Sequence, residues 1–201
     1  MNDDDPRVQV CEKTTPYRGY FRIDRYRLRH RRFDGGWTGV MSRECFERGH
    51  AAAVLPYDAA RDAVVLIEQF RVGAYAAGLD PWLTEIVAGI IEPGESPQDV
   101  ARREALEEAG CRIRELALIG RALVSPGGTS EIIHLFCGQV ESAGLGGLHG
   151  LDHENEDIRA FVLPFAEALA ELEAGRIVNA PAIMALQWLA LNRDRLRRAW
   201  A

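Results

Sequence analysis

Residues 89–110 read Gly89-Ile90-Ile91-Glu92-Pro93-Gly94-Glu95-Ser96-Pro97-Gln98-Asp99-Val100-Ala101-Arg102-Arg103-Glu104-Ala105-Leu106-Glu107-Glu108-Ala109-Gly110. The stretch predicts a helix over 96–109. A serine oxygen can satisfy free N–H groups at its start, proline is preset for the first helical position, and glycine accepts the left-handed backbone that closes the last turn. Glu104, Glu107 and Glu108 lie at i, i+3 and i+4, so the helix carries three carboxylates on one face. Like charges at this spacing repel by about 0.2–0.5 kcal/mol per pair. A bound cation reverses that sign, and hard carboxylate oxygens suit Mg²⁺ or Mn²⁺. Taken alone, the same charges also describe an ordinary solvated acidic face.

Outward from the helix, residues 82–87 predict a strand. The apolar runs 51–55 and 63–69, separated by Asp58-Ala59-Ala60-Arg61-Asp62, predict a hairpin. Residues 114–124 and 131–140 predict strands around the turn 125–130. A glycine-rich acidic loop follows at 142–157, then a strand at 158–163. Amphipathic helices are expected at 165–174, closed by Gly175, and at 181–197. This mixed order predicts the α/β class, as a sandwich.

Upstream, residues 1–16 are expected to be a loose tail. In 17–32, Tyr17, Tyr20, Phe21, Ile23, Tyr26 and Leu28 alternate with arginines, which predicts an exposed strand. Asp34-Gly35-Gly36 is a turn, and 37–43 returns as a second strand. The expected division is a small β-rich N-terminal subdomain at 1–47 and a main domain at 48–201. The 17–43 segment is too short and too charged to bury much core alone, so it needs another surface.

Composition narrows the function classes. Of the 201 residues, 47% are hydrophobic, enough for a packed core, and the net charge of −6 argues against general nucleic-acid binding. No apolar run approaches the ~18 residues that cross a bilayer. Residues 1–6 are acidic and lack the pattern of a secretory signal. The four cysteines are scattered with no C-x-x-C pair, which predicts reduced thiols and a cytoplasmic location.

The spacing of Gly89, Glu95, Arg103-Glu104, Glu107-Glu108 and Gly110 resembles the Nudix box in full, with Cys111 replacing the usual aliphatic residue at its end. The resemblance implies a Nudix α/β/α sandwich with a mixed sheet, plus the small N-terminal β-rich subdomain. It also implies two or three divalent ions, Mg²⁺ with Mn²⁺ as the alternative, acting on a pyrophosphate. Glu104 and Glu108 would be direct ligands, with Glu107 a ligand or a group behind one. The Ala88 carbonyl would join them, and Arg103 would pair with Glu95 to hold the helix against its loop.

The resemblance reaches further. Pro126 lies sixteen residues after Gly110, as in the bacterial ADP-ribose diphosphatase subfamily. The segments 17–21, 46–50, 66–71, 149–151 and 154–157 are similar to that pattern as well. This implies hydrolysis of ADP-ribose to AMP and ribose 5-phosphate. Glu156 would be a further metal ligand and Glu154 the general base on a glycine-rich loop, giving a catalytic set of Glu104, Glu108, Glu154 and Arg103. Substrate contacts would come from Tyr20, Arg43, Glu44, Arg71, Ile90, Ser125 and Glu131, with Arg48 a further phosphate candidate. Tyr20 would stack on adenine across a homodimer with exchanged N-terminal subdomains; as a residue, it equally suits a packed strand aromatic. GDP-mannose, another nucleotide sugar or NADH would use the same metal site. A non-catalytic ADP-ribose sensor is set against the intact glutamates, and an RNA hydrolase using the arginine strand is set against the acidic total.

Overall fold

The computed structural model describes residues 5–151 and 155–201. Its elements are β1 (Val8–Arg18), β2 (Arg22–His30), β3 (Met41–Glu47), β4 (Ala51–Asp58), β5 (Ala63–Phe70), α1 (Val72–Ala76), β6 (Trp82–Glu85), β7 (Val87–Ile90), α2 (Pro97–Ala109), β8 (Leu116–Leu123), β9 (Ile132–Gln139), β10 (Gly147–His149), β11 (Ile158–Pro164), α3 (Phe165–Glu173) and α4 (Ala180–Trp200). The chain divides into one unit of Met1–His50 with Leu123–Ile132 and another of Ala51–Ala122 with Ile133–Ala201. The segment Leu123–Ile132 thus groups with the N-terminal residues, where the expected division at residue 47 assigns it to the main domain.

The larger unit is built on a sheet in the order β10-β11-β5-β4-β9-β8, with β6 paired to β5 and β7 to β4. The β4–β9 pair is parallel, while β4–β5, β4–β7, β5–β6, β5–β11 and β10–β11 are antiparallel, so the sheet is mixed. β4 is buried along its whole length because both of its faces are covered. Ala51, Ala53, Leu55 and Tyr57 enter one core with α3 and α4, whereas Ala52 and Val54 enter a second core with Val100, Ala101, Ala105 and Ala109 of α2. This two-sided burial makes the run apolar throughout instead of alternating. The result is the expected α/β class, with helices on both faces of a mixed sheet.

The smaller unit is a three-stranded antiparallel sheet, β1-β2-β3. Residues 8–16 are therefore no loose tail. Their composition hides the strand, which is held by pairing: Glu12 lies opposite Arg27 and Lys13 opposite Tyr26, with the Lys13 ammonium 5.0 Å from the Tyr26 ring centroid. The expected return strand at 37–43 is shifted, with a lone bridge at Trp37–Arg31 and the ladder proper at Met41–Glu47. The single strand expected at 82–87 is two strands, because the chain changes partner from β5 to β4 around Ile86. β10 lies inside the expected loop, and α1 is too short to leave a periodic signal. No helix among the described residues is long and apolar enough to cross a membrane.

The β4–β5 turn is locked by Asp58, which is 2% exposed. One of its oxygens accepts from the backbone N–H groups of Ala60 and Arg61, and the other from the backbone N–H and hydroxyl of Ser142 at 2.8 and 2.7 Å. Burial pushes this carboxyl up, but these donors outweigh it and hold it at about 2 against an ordinary 3.8. A depressed folded pKa gives stability that is fully present above the unfolded value and drains away as pH falls through the folded one. Asp58→Asn should therefore cost about 2 kcal/mol at pH 7 and roughly half of that at pH 3, measured by urea unfolding. An equal cost at both pH values would rule out this anchoring.

Candidate active site

α2 starts and stops where its sequence dictates. The Ser96 hydroxyl oxygen accepts from the Asp99 N–H at 3.2 Å, Pro97 opens the first turn, and Gly110 takes φ 62° at the C-terminus. The Cys111 N–H then donates back to the Ala105 carbonyl at 2.8 Å, closing the end. Ala101, Ala105 and Ala109 are fully buried at successive i+4 positions. Their small side chains let the helix lie close on the sheet.

That closeness brings Glu104 and Glu108 against β7. Glu108 is 4% exposed and accepts a hydrogen bond from the Ala88 N–H at 3.0 Å. Glu104 occupies the space above the next residue: a Cβ built on Gly89 would lie inside the Glu104 carboxyl group. Glycine is required there for close approach, whatever its backbone freedom.

Arg103 closes the opposite side. Its Nε and Nη2 donate to the two oxygens of Glu95 at 3.1 and 3.3 Å, while Nη1 donates to Glu104 at 2.8 Å and Glu107 at 3.1 Å. Glu95 also accepts from the Glu92 N–H at 3.0 Å, so the guanidinium ties the loop before the helix to its acidic face. Burial alone would weaken the arginine's charge, but these carboxylates outweigh it and hold its pKa above the ordinary value.

The electrostatics favour a cation. Burial pushes the Glu108 carboxyl up to about 8; the Ala88 N–H opposes this, and the charges of Glu104 and Glu156 add to it. Glu104 is raised as well, first by burial, with Arg103 opposing and Glu107 and Glu156 adding. Among the described residues, no three acidic, histidine or cysteine side chains converge tightly enough to hold an ion as they stand. The donor set nevertheless fits a hard divalent ion. It consists of carboxylates around a backbone strand, one of them buried without a cationic hydrogen-bond partner, with a guanidinium resting on two others.

The other expected site residues fall into two sets. In the larger unit, Glu156 is half-buried, its backbone N–H reaching the Leu151 carbonyl, and its charge is felt by Glu104, Glu108 and Arg71. Ile90 is half-buried at the end of β7, and Arg71 donates to the buried Glu85. Sequence reasoning missed Glu85, a charged residue inside an apolar strand, which is the signal that could have found it. In the smaller unit, Tyr20 is 89% exposed and sits edge-on to Phe21, and Arg43, Glu44 and Ser125 are exposed. Glu131 is buried there beside Arg48, with the Arg48 Nε 3.5 Å from its carboxylate, so that arginine's charge is matched within its own unit. The expected base, Glu154, lies outside the described residues.

Comparison with known proteins follows the same lines. The NUDIX domain family model matches residues 47–186. An ADP-ribose pyrophosphatase of Escherichia coli (strain K12) is 50% identical over 194 residues, covering 96% of this chain and 93% of that protein. One from Haemophilus influenzae is 42% identical over 196 residues, covering 96% and 90%. A GDP-mannose pyrophosphatase of Cronobacter sakazakii is 39% identical over 151 residues, covering 75% and 78%. A crystal structure of an ADP compounds hydrolase shares the fold with a TM-score of 0.70 at 22% identity, covering 96% of each chain.

Gly89→Ala tests the packing of the site directly. The added methyl must displace the Glu104 carboxyl, a flexible group, so the fold should survive with a melting temperature within about 3 °C. The pyrophosphate hydrolysis expected from the sequence should fall about 100-fold, the order of loss that a misplacement near 1 Å produces. Full activity in the alanine variant would mean that Glu104 does not need this seat.

Proposed function

The chain belongs to the NUDIX family, and on that premise we propose that it hydrolyses the pyrophosphate bond of ADP-ribose to AMP and ribose 5-phosphate, with Mg²⁺ or Mn²⁺ as the working ion. The observation that carries the choice of substrate is the identity with ADP-ribose pyrophosphatases along nearly the whole of both chains. The GDP-mannose pyrophosphatases match at lower identity, which makes GDP-mannose the second reading. NADH and other nucleotide sugars stand behind it, as does a sensor that binds ADP-ribose without cutting it.

In this reading Glu104, Glu108 and Glu156, with the Ala88 carbonyl and Glu107 beside them, hold two or three divalent ions. Bound there, the ions would neutralise pyrophosphate charge and acidify the attacking water. The residues of the chain do the positioning. Gly89 admits the Glu104 carboxyl to the strand, the Ala88 N–H fixes Glu108, and Arg103 braces the helix against the Glu95 loop. Arg71, whose charge the site's acidic groups favour, supplies a positive charge for a phosphate oxygen. Glu154 takes the proton from water. Ile90 would contact the substrate, and Tyr20, Arg43, Glu44, Ser125 and Glu131 would recognise the nucleoside and the ribose.

A homodimer with exchanged N-terminal subdomains completes the reading. The smaller unit supports it, because its sheet leaves Val8, Val10 and Tyr17 exposed. A cavity of about 1260 Å³ in this unit is lined in part by Val8, Val10, Leu28 and Met41. A three-stranded sheet with an open apolar face of this kind is completed by a second surface. The four unpaired thiols fit the cytoplasm.

The test is incubation of the pure protein with Mg²⁺ and ADP-ribose, GDP-mannose, NADH, diadenosine polyphosphate or a nucleoside triphosphate, with products resolved. AMP and ribose 5-phosphate should form from ADP-ribose at the highest kcat/KM of the panel. Preference for another compound would overturn the substrate assignment, and binding of ADP-ribose without turnover would support the sensor.

A further inference from the structure

Arg71 is fixed at both its backbone and its side chain. Its N–H donates to the Pro81 carbonyl at 2.7 Å, pinning the point where the chain leaves β5. Its Nε and Nη2 both donate to one oxygen of Glu85, at 3.0 and 2.7 Å. Glu85 is 3% exposed, and its other oxygen accepts from the Asn179 Nδ2 at 2.9 Å. Asn179 is the N-cap of α4, and its own Oδ1 accepts from the Ala182 N–H at 3.0 Å. One side-chain amide thus uses its oxygen to start a helix and its nitrogen to hold a buried carboxylate.

The chemistry of this chain is directional. A carboxylate held by a donor on one oxygen presents the other oxygen in a fixed plane, and the guanidinium docked on it inherits that plane. Nη1 of Arg71 takes no part in the Glu85 contact, and 41% of the arginine side chain is exposed. Burial opposes the charge of Arg71, but Glu85 first and then the negative charges of Glu108 and Glu156 outweigh it and raise the arginine's pKa, so the site's acidic groups favour the charged guanidinium.

We propose that Glu85 and Asn179 are positioning residues that set the orientation of Arg71 toward the substrate pyrophosphate, through the hydrogen-bonded series Asn179–Glu85–Arg71. The inference rests on the ADP-ribose reading given above. It explains why an acidic residue is buried at the end of β6, and why α4 begins with asparagine although serine, threonine or aspartate would also serve as a cap.

Asn179→Ser separates the two jobs, since it keeps a capping oxygen and replaces the amide Nδ2 that reaches Glu85 with a hydroxyl one bond shorter. The melting temperature should stay within about 2 °C. The Kd for ADP-ribose in EDTA, where the expected ions are removed, should rise about 3- to 10-fold, and KM in Mg²⁺ should rise with it while kcat stays within about twofold. Glu85→Gln, which weakens the hold on Arg71 from the other side, should move Kd and KM in the same direction, and Arg71→Ala should give the largest rise of the three. Unchanged Kd and KM in Asn179→Ser, or a fall in kcat in step with the melting temperature, would overturn the proposal, as would an unchanged Kd in Arg71→Ala. If the wild type binds ADP-ribose without cleaving it, the hydrolase reading fails and the Kd comparison still decides the positioning role. Absence of any binding by the wild type would overturn both.

Discussion

A backbone N–H from β7 donating to the buried carboxylate of Glu108 is the contact on which the site depends. Removing a carboxylate from water costs several kcal/mol unless hydrogen bonds or a cation compensate. Here one backbone donor does so only in part, and the Glu108 carboxyl remains pushed up to about 8. Without a cation the fold favours the protonated, neutral acid at this position, and a bound cation would favour the carboxylate. The three buried alanines of α2 bring the helix close enough for this contact, Gly89 leaves room for a second carboxyl, and Arg103 stops the acidic face from splaying.

The same sheet that seats the helix carries the cation beside it. β6 and β7 come from one apolar run that changes partner around Ile86, from β5 to β4. The change puts Glu85 at the end of one ladder and Ala88 within the next, so Arg71 and Glu108 are each held by the same short stretch of chain. Positive and negative groups are thereby fixed a few residues apart, an arrangement suited to a substrate whose pyrophosphate must meet both metal and arginine.

Much of this was legible in the sequence, for particular reasons. The helix with its serine cap, proline start and glycine stop announced itself, and β4 and β5 were visible because burial on both faces leaves unbroken apolar runs. The Glu95–Arg103 pair was implied by the resemblance to the Nudix box. β1 was not legible because its stability comes from cross-strand partners such as Glu12–Arg27, and its own residues alternate weakly. The break at Ile86 was hidden because a change of partner leaves no mark in composition. Asn179, Glu85 and Arg71 are brought together by the fold across 94 and 14 residues, beyond the reach of any local pattern. Residue 154, assigned as base from resemblance, lies outside the described residues, so its role stands on sequence alone.

The central claim is that α2 and the end of β7 form a site for divalent cations around Glu108. Calorimetric titration of Mn²⁺ into the wild type and into Glu108→Gln tests it most directly. The amide keeps the shape of the side chain and removes the charge. The account predicts saturable binding by the wild type and affinity at least about tenfold weaker in the variant, with the metal-free folded state about as stable because a neutral amide replaces a carboxyl that burial already drives toward its neutral form. Equal Mn²⁺ affinity in both proteins would contradict it.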